Sequence, residues 1–269
     1  MPIAVSAFNL HEQFPSGRTA PCLVEARDES GEIHAVVVKI FSESEGGHKA
    51  SAAELVCSLL GQALGLRPPE PYLVTLPEGF ESLVNCESTQ TKIRQSEGLY
   101  FGCKYLSGAS IVSPERSISE SKLSEAAQIF TFDGLVQNPD RRVGKPNLLE
   151  SDEGYHLIDH DQALGDFRFP TFVSTVAPWD ESAERSPAYE FLKNHLFHQG
   201  LHGKEEFFDD AEKQLAELNQ DDILAILESV PPIWWGDSSM FQQLKDYLEQ
   251  APLKTTEIIS LVKSYLSTP

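Results

Sequence analysis

Strand-like patterns dominate the first part of the chain. Apolar and β-branched residues fill the runs 22–27 and 33–41, and the polar, Gly-ended turn 28–31 separates them, which predicts a β-hairpin. Residues 50–64, rich in Ala, Leu, Glu and Gln, have the composition of a helix. Further strands are predicted at residues 1–10, 72–76 and 99–106, with a loop to about Gly98 before the last of them. The pattern therefore predicts a small sheet accompanied by one helix.

The second part of the chain has mainly helical patterns. A helix is predicted from Ser119 or Ser121, either of which can cap its N-terminus, to Val136. Two short runs, 148–149 and 155–158, predict strands joined by a polar turn. Further helices are predicted at residues 188–200, 204–218, 221–229, 238–250 and 255–267, with Asn219 and Asp237 as N-caps.

Three polar residues stand where these patterns break. Asp140 lies in the Pro-containing segment 138–142 after a predicted helix, where a side chain can project into a cleft. Asn147 precedes the first short strand, and Asp159 ends the second. Phosphoryl transfer needs one group to orient the attacking hydroxyl and oxygen ligands to hold Mg²⁺. Each residue alone could be a turn or cap residue, but the three in this order favour a kinase site.

Three segments carry a resemblance to known enzymes. Asn138-Pro139-Asp140-Arg141, Pro146-Asn147-Leu148-Leu149 and the run LIDHDQAL at 157–164 resemble the active-site region of HipA-like kinases. They are also similar to that region of type II phosphatidylinositol 4-kinases. The resemblance implies an α+β, two-lobed protein-kinase-like fold. We expect a β-rich N-lobe over residues 1–106 and a helical C-lobe over residues 107–269, which together form one kinase-like domain.

The resemblance also implies roles for the three polar residues. Asp140 is the expected catalytic aspartate, Asn147 a Mg²⁺ ligand, and Asp159 the counterpart of the Asp in the Asp-Phe-Gly motif of protein kinases. The chain departs from ordinary protein kinases, because seven residues rather than five lead from Asp140 to Asn147 and no His-Arg-Asp or Asp-Phe-Gly occurs. These departures favour the atypical branch of the fold.

Lys39 is the candidate phosphate-binding lysine of the N-lobe. It stands within the apolar strand 33–41, where a lysine is an unusual choice, and kinase-like N-lobes use a strand lysine to contact ATP phosphates. Glu54, on the helix 50–64, is its expected partner. The alternative for Lys39 is an edge strand whose lysine points to water, and the alternative for Glu54 is a solvent-facing helix glutamate favoured near the N-terminus by the macrodipole.

The segment Ser16-Gly17-Arg18-Thr19 is the candidate phosphate loop. It precedes the hairpin, as such a loop does in kinase-like N-lobes. Gly17 would permit close backbone approach to phosphate, and Arg18 would add positive charge. The segment lacks the Gly-x-Gly-x-x-Gly pattern.

Composition narrows the range of partners. Lys and Arg number 21 against 41 Asp and Glu, so the formal net charge of the 269 residues is −20. Such a surface repels polyanions, which argues against nucleic acid or an anionic membrane and would suit a basic protein partner. The four cysteines are scattered without zinc spacing, and neither a leader pattern nor an 18-residue apolar run occurs. We therefore expect a cytoplasmic protein without a membrane span.

Other titratable residues are better explained by structural roles. His195, His198 and His202 are three and four residues apart, so they share one face if the helix 188–200 continues. Without a nearby cysteine or an established fourth ligand, a surface or packing role is a better interpretation than a metal site. We expect Asp133 to form structural hydrogen bonds, while Asp161 could add a metal contact but is better interpreted as a turn or cap residue.

The predicted activity is transfer of the ATP γ-phosphoryl group to a hydroxyl, with ATP and Mg²⁺ as cofactors. The resemblance to HipA-like kinases implies a protein serine or threonine as the acceptor. A lipid or small-molecule kinase would use the same residues with another acceptor pocket. A nucleotide-binding pseudokinase that serves as a partner-binding module is the second alternative.

Overall fold

The computed structural model describes residues 1–14, 19, 21–96, 98–165, 176–236 and 238–267. Its larger sheet lies within the first 104 residues, and most of its helical residues follow. The predicted α+β class, with a β-rich first part and a helical second part, is confirmed.

Five strands close into a barrel in the order β1-β2-β3-β5-β4. They are β1 (Ile3–Gln13), β2 (Cys22–Asp28), β3 (Ile33–Lys39), β4 (Pro71–Thr75) and β5 (Leu99–Lys104). β1 pairs with β4 in parallel, and the other pairs are antiparallel. Alternate residues of β2 and β3, such as Val24, Val36 and Val38, are buried in the barrel core because successive side chains of a strand point to opposite faces.

Gly102 shows how tightly the barrel is packed. It lies on β5 opposite Val38 of β3 and Tyr72 of β4. A Cβ atom at this position would lie 2.6 Å from Val36 Cγ1 and 2.7 Å from Val74 Cγ2. The barrel therefore has no room for a larger residue here, and glycine is required by packing, since its φ is not in the left-handed region.

Helices build the rest of the described chain. The α-helices are α1 (Gly47–Ala63), α2 (Glu87–Gln95), α3 (Leu123–Leu135), α4 (His198–Leu201), α5 (Asp209–Glu217), α6 (Gln220–Glu228), α7 (Pro232–Trp235), α8 (Ser238–Gln250) and α9 (Thr255–Leu266). Short 3₁₀ helices span Glu43–Glu45, Phe80–Leu83, Glu120–Lys122, Ala183–Arg185, Pro187–Asn194, Glu205–Phe208 and Ala251–Leu253. Within the described residues, no helix combines the length and apolar character needed to cross a bilayer.

Two helices, α1 and α3, form the centre of the larger core. α1 packs against β5 and also against α6 and α7, so it joins the barrel to the helical part. α3 packs against α5 and α9 and is buried almost along its whole length. Because these helices are fixed by packing on several sides, the residues that they carry or precede occupy defined positions.

A second sheet contains the predicted short hairpin. Its antiparallel strands are β6 (Ser110–Ile111), β7 (Leu148–Ser151) and β8 (Gly154–Leu157) in that order. The hairpin β7–β8 agrees with the two runs predicted at 148–149 and 155–158. β6 was not predicted, because its two exposed residues have no strand pattern.

Some predicted elements were wrong in detail. The segment before residue 98 was predicted as a loop but contains α2. The predicted helix 188–200 is interrupted at His195, whose ψ of 146° is extended. Neither Ser119 nor Ser121 caps α3, which begins at Leu123 after a 3₁₀ turn. The Asn219 side chain does cap α6, accepting a hydrogen bond from Asp222 N at 2.8 Å, whereas Asp237 lies outside the described residues.

Candidate active site

The β7–β8 hairpin brings Asn147 and Asp159 together. Leu148 pairs with Leu157 at the open end of the hairpin, and Ile158 N donates to Asn147 O at 3.3 Å. Asn147 and Asp159 therefore flank the hairpin at the same end. Both have left-handed backbone, with φ of 46° and 66°, a conformation that Asn and Asp adopt more readily than other non-glycine residues.

Asp140 joins this pair through the loop after α3. Asn138 Oδ1 accepts from Asp140 N at 3.2 Å, which is the local turn expected for Asn-Pro-Asp. Asn147 Nδ2 donates to Asp140 Oδ2 at 3.1 Å and to Asp159 O at 3.5 Å. The three residues singled out in the sequence thus lie in one hydrogen-bonded group.

Lys145 is a site residue that sequence reasoning missed. Its Nζ lies 2.9 Å from Asp159 Oδ2 and also contacts Asp140 Oδ2. The available signal was its position as the one lysine between Asp140 and Asn147. A cation held between two carboxylates places fixed positive charge in this group, where it can stabilise negative charge on a ligand.

The Lys39 side chain reaches the same site from β3. Its Nζ forms an ion pair with Glu54 of α1 and lies 2.7 Å from Asp159 Oδ1. Lys39 is 6% exposed and Glu54 is 2% exposed, so neither side chain points to water. The solvent-facing alternatives for both residues are therefore wrong.

Burial and charge shift the pKa values in this group. Burial opposes the charged form of Lys39, but the carboxylates of Asp159 and Glu54 outweigh it and hold the Lys39 pKa above its usual range. Burial also opposes the charged form of Asp159, but Lys39 and Lys145 outweigh it and hold the Asp159 pKa below its usual range. Burial raises the pKa of Glu54 to about 7. The attraction of Lys39 opposes this shift, but the neighbouring carboxylates of Asp159 and Asp161 partly cancel that attraction.

The oxygen atoms of the site suit a hard divalent cation. Carboxylate oxygens of Glu54, Asp159 and Asp161 lie within 4.8 Å of one another, and the amide of Asn147 is adjacent to Asp159. Oxygen ligands from carboxylates and amides are those that Mg²⁺ takes in proteins. Asp161 is 4% exposed and accepts from Gln162 Nε2 at 2.6 Å, so it is oriented within this group. The donor set therefore fits Mg²⁺, and Lys39 and Lys145 supply the charge that phosphates need.

A buried network beneath the loop fixes its position. Arg141 Nε donates to Asp133 Oδ2 at 2.6 Å, and the Arg141 guanidinium also contacts the carbonyl oxygen of Asn147. Asn138 Nδ2 donates to Asp133 Oδ1 at 2.8 Å. Burial opposes the charge of Asp133, but Arg141 and His195 hold its pKa well below the usual range. Asp133 is therefore a structural residue, as predicted, and it is the anchor of the loop.

Comparison with known protein families identifies the family of this chain. The family model described as HipA-like kinase matches residues 8–176, which is more than half of the chain. The chain belongs to the HipA-like kinase family. The matched region of this HipA-like kinase includes Lys39, Asp140 and Asp159.

A solved structure supports the fold of this HipA-like kinase. The proinflammatory kinase CtkA of Helicobacter pylori is similar to it with a TM-score of 0.54 at 14% identity, over 99% of this chain and 98% of that one. At this identity the similarity establishes the fold alone, and the predicted protein-kinase-like fold is confirmed. A comparison with curated protein sequences finds no match.

Part of the predicted phosphate loop of this HipA-like kinase lies outside the described residues. The loop residues that are not described are Ser16, Gly17 and Arg18. Thr19 is described and is 7% exposed, just before β2 begins at Cys22. The role of the segment as a phosphate loop stays a prediction.

The histidines of this HipA-like kinase do not share a helix face. His195 Nε2 lies 2.9 Å from Asp133 Oδ2, and Phe197 N donates to His195 Nδ1 at 3.1 Å. His198 Nε2 instead donates to the carbonyl oxygen of Tyr265 at 3.0 Å. His195 is only 2% exposed, so its contacts with Asp133 and Phe197 support a packing role for it.

Proposed function

We propose that this HipA-like kinase is an ATP- and Mg²⁺-dependent enzyme that phosphorylates a serine or threonine of a protein. The observation that carries the proposal is the convergence of Asp140, Asn147 and Asp159 around Lys145, with Lys39 reaching Asp159 from the barrel. Residues 1–106 act as the N-lobe and residues 107–269 as the C-lobe of one domain. The serine or threonine acceptor follows from the resemblance to HipA-like kinases.

Binding of the nucleotide depends on cations from both lobes. Lys39, oriented by Glu54, binds the phosphates of ATP, and the segment Ser16-Gly17-Arg18-Thr19 covers them. Asn147 and Asp159 hold Mg²⁺, and Asp161 is close enough to Asp159 to support the same cation. When bound, Mg²⁺ neutralises the charge that develops on the transferred phosphoryl group.

Transfer depends on the placement of the acceptor hydroxyl. Asp140 orients the hydroxyl and accepts its proton, as a carboxylate general base does. Its carboxylate is held beside Lys145 and Asn147. Lys145 stabilises the negative charge between the attacking and leaving oxygens. The buried Asp133–Arg141 pair keeps Asp140 in position, so that positioning and electrostatics supply most of the catalysis.

The test measures binding and turnover separately. Calorimetry with Mg·ATP is run on the wild type, Asp159→Ala and Asp140→Ala, with γ-phosphate release or self-labelling in parallel. We expect Asp159→Ala to lose Mg²⁺-dependent affinity and Asp140→Ala to bind ATP without transfer. Asp152→Ala, in the exposed β7–β8 turn, is the matched control and should behave as the wild type.

Two results would contradict the proposal. A wild-type protein that binds no nucleotide in the presence of Mg²⁺ would exclude the kinase. Binding without any phosphate release or transfer would instead favour the pseudokinase alternative.

A further inference from the structure

A cavity of about 730 Å³ lies beside the catalytic loop. Its walls are the segment 112–119, residues 142–144 of the loop that follows Asp140, and the segment 191–200. This volume lies within the range of about 300 to 1,000 Å³ that is usual for ligand sites. Arg142 lines the cavity and its Nε lies 3.8 Å from Asp140 Oδ1, so a molecule in the cavity would lie close to the Asp140 carboxylate.

The cavity walls are held in place by the catalytic loop itself. Leu196 N donates to Arg141 O at 3.0 Å, and Arg142 forms a β-bridge with His195. On the far side, Ile118 packs so closely against Gly200 that a Cβ atom at that position would clash with it. The cavity is therefore a built part of the fold, and its shape is coupled to the loop that carries Asp140.

The charge of the cavity is opposite to that of the whole chain. Its described lining includes four cations and two carboxylates: Arg116, Lys122, Arg142 and Lys193 against Glu115 and Glu150. The chain as a whole has a formal charge of −20. A positive cavity on an acidic protein attracts and orients a negatively charged partner.

Two of these cations are only weakly held by protein carboxylates. Lys193 pairs with Glu190 at 2.8 Å, but both side chains are more than one third exposed, and exposed pairs contribute little. Arg116 Nη1 lies 3.2 Å from Glu150 Oε2, but the Arg116 side chain is 71% exposed, so this pair also contributes little. Both cations can therefore bind a carboxylate of a ligand with little loss of stabilising ion-pair energy within the protein.

The cavity also has apolar lining. Val143, on the catalytic loop, is 54% exposed, and Phe191 and Val112 line other parts of the cavity. Phosphate sites usually gather several donors at one point, such as a helix N-terminus or a bidentate arginine. Cations distributed among apolar side chains suit an extended peptide that carries both carboxylates and an apolar residue.

We propose that this cavity binds an acidic segment of the acceptor protein, next to the serine or threonine that is phosphorylated. The proposal rests on the proposed kinase function and adds the class of substrate sequence. Lys193 and Arg116 bind the acidic side chains, and Val143 and Phe191 contact an apolar residue. The segment is thereby placed so that its hydroxyl reaches Asp140.

The test uses two fluorescein-labelled peptides with a central serine flanked by leucine and either four glutamates or four lysines. Binding is measured by fluorescence polarisation, and phosphorylation is measured with Mg·ATP. We expect the wild type to bind the acidic peptide at least tenfold more tightly than the basic one, and to lose this preference at high salt. Lys193→Glu combined with Arg116→Glu should reverse the preference, a gain that misfolding cannot produce. Lys213→Glu, at an exposed pair on α5, is the control and should leave the preference unchanged.

The outcomes separate this proposal from the kinase proposal. Equal or undetectable binding of both peptides to a wild type that binds Mg·ATP would overturn the docking proposal and leave the kinase proposal in place. An acidic-peptide preference that persists in the Lys193→Glu/Arg116→Glu variant would also overturn it. Charge-dependent peptide binding by a protein that does not bind Mg·ATP would support the cavity assignment and reject the kinase.

Discussion

Lys145 Nζ lies 2.9 Å from Asp159 Oδ2, and the same nitrogen contacts Asp140. One cation thus links a carboxylate at the end of β8 to a carboxylate on the loop after α3. Burial opposes the charged form of Lys145, but the attraction of Asp159 and Asp140 outweighs it and raises the Lys145 pKa. Lys145 therefore stays charged at neutral pH and is available to a phosphoryl group between the two carboxylates.

Replacing Lys145 tests this role. We expect Lys145→Met to lower kcat by about 100-fold, the usual loss when one preorganised electrostatic group is removed, with little change in ATP affinity. Lys145→Arg should retain more activity, because it keeps the charge. Steady-state kinetics of phosphate release checks both variants. An unchanged kcat for Lys145→Met would show that the lysine only neutralises the resting site.

The Lys39–Glu54 pair predicts separable effects on stability and binding. Lys39→Met leaves Glu54 buried without its cation, and we expect a loss of about 3 to 5 kcal/mol in the free energy of unfolding. The double variant Lys39→Met/Glu54→Leu should recover much of that stability, since apolar side chains replace both charges. Urea unfolding measures stability, and calorimetry with Mg·ATP measures affinity. Recovery of ATP binding in the double variant would contradict the proposed role of Lys39.

Local sequence was sufficient for some parts of the site. Lys39 was recognisable because a lysine is unusual inside an apolar strand. The hairpin between Asn147 and Asp159 was recognisable because the sequence contains two strand patterns and a polar turn. By contrast, α2 buries only Thr89 and Ile93, so it has almost no apolar periodicity and was predicted as a loop.

Other parts of the site depend on contacts between distant segments. His195 contacts Asp133 across 62 positions of the chain, and this contact was not visible in local patterns. The expected helix 188–200 is broken at the residue that makes this contact. The spacing of the histidines therefore suggested a shared helix face, whereas tertiary packing assigns His195 to the loop anchor.

The buried Asp133–Arg141 pair predicts a large effect on stability. Asp133→Asn leaves the Arg141 guanidinium without its carboxylate in a fully buried position, so we expect a loss of about 3 to 5 kcal/mol in the free energy of unfolding. Asp152→Asn, in the exposed hairpin turn, should change it by less than about 0.5 kcal/mol. Urea unfolding of both variants provides the measurement. A small change for Asp133→Asn would show that the pair is not needed to hold the loop.

His195 predicts how stability depends on pH. Burial lowers the His195 pKa, although the hydrogen bond to Asp133 opposes this shift. The folded chain therefore keeps His195 neutral where the unfolded chain, with a pKa of about 6.5, binds a proton. The unfolded state binds more protons below about pH 6.5, so stability falls as pH falls, by at most about 1.4 kcal/mol per pH unit from this residue. His195→Gln, compared by urea unfolding between pH 7 and 5, should have a shallower slope; an equal slope would assign the effect to other groups.

Packing inside the barrel gives a prediction that is independent of charge. The Cβ atom of Gly102→Ala would press on Val36 Cγ1 and Val74 Cγ2, so we expect a loss of about 1 to 3 kcal/mol from overpacking. Val36→Ala removes one of the opposing methyl groups and leaves a small cavity of its own. The double variant should therefore be more stable than the sum of the two single losses predicts, which a double-mutant cycle in urea measures. Strict additivity would mean that the barrel expands to accept the methyl group, and that residue 102 does not limit its width.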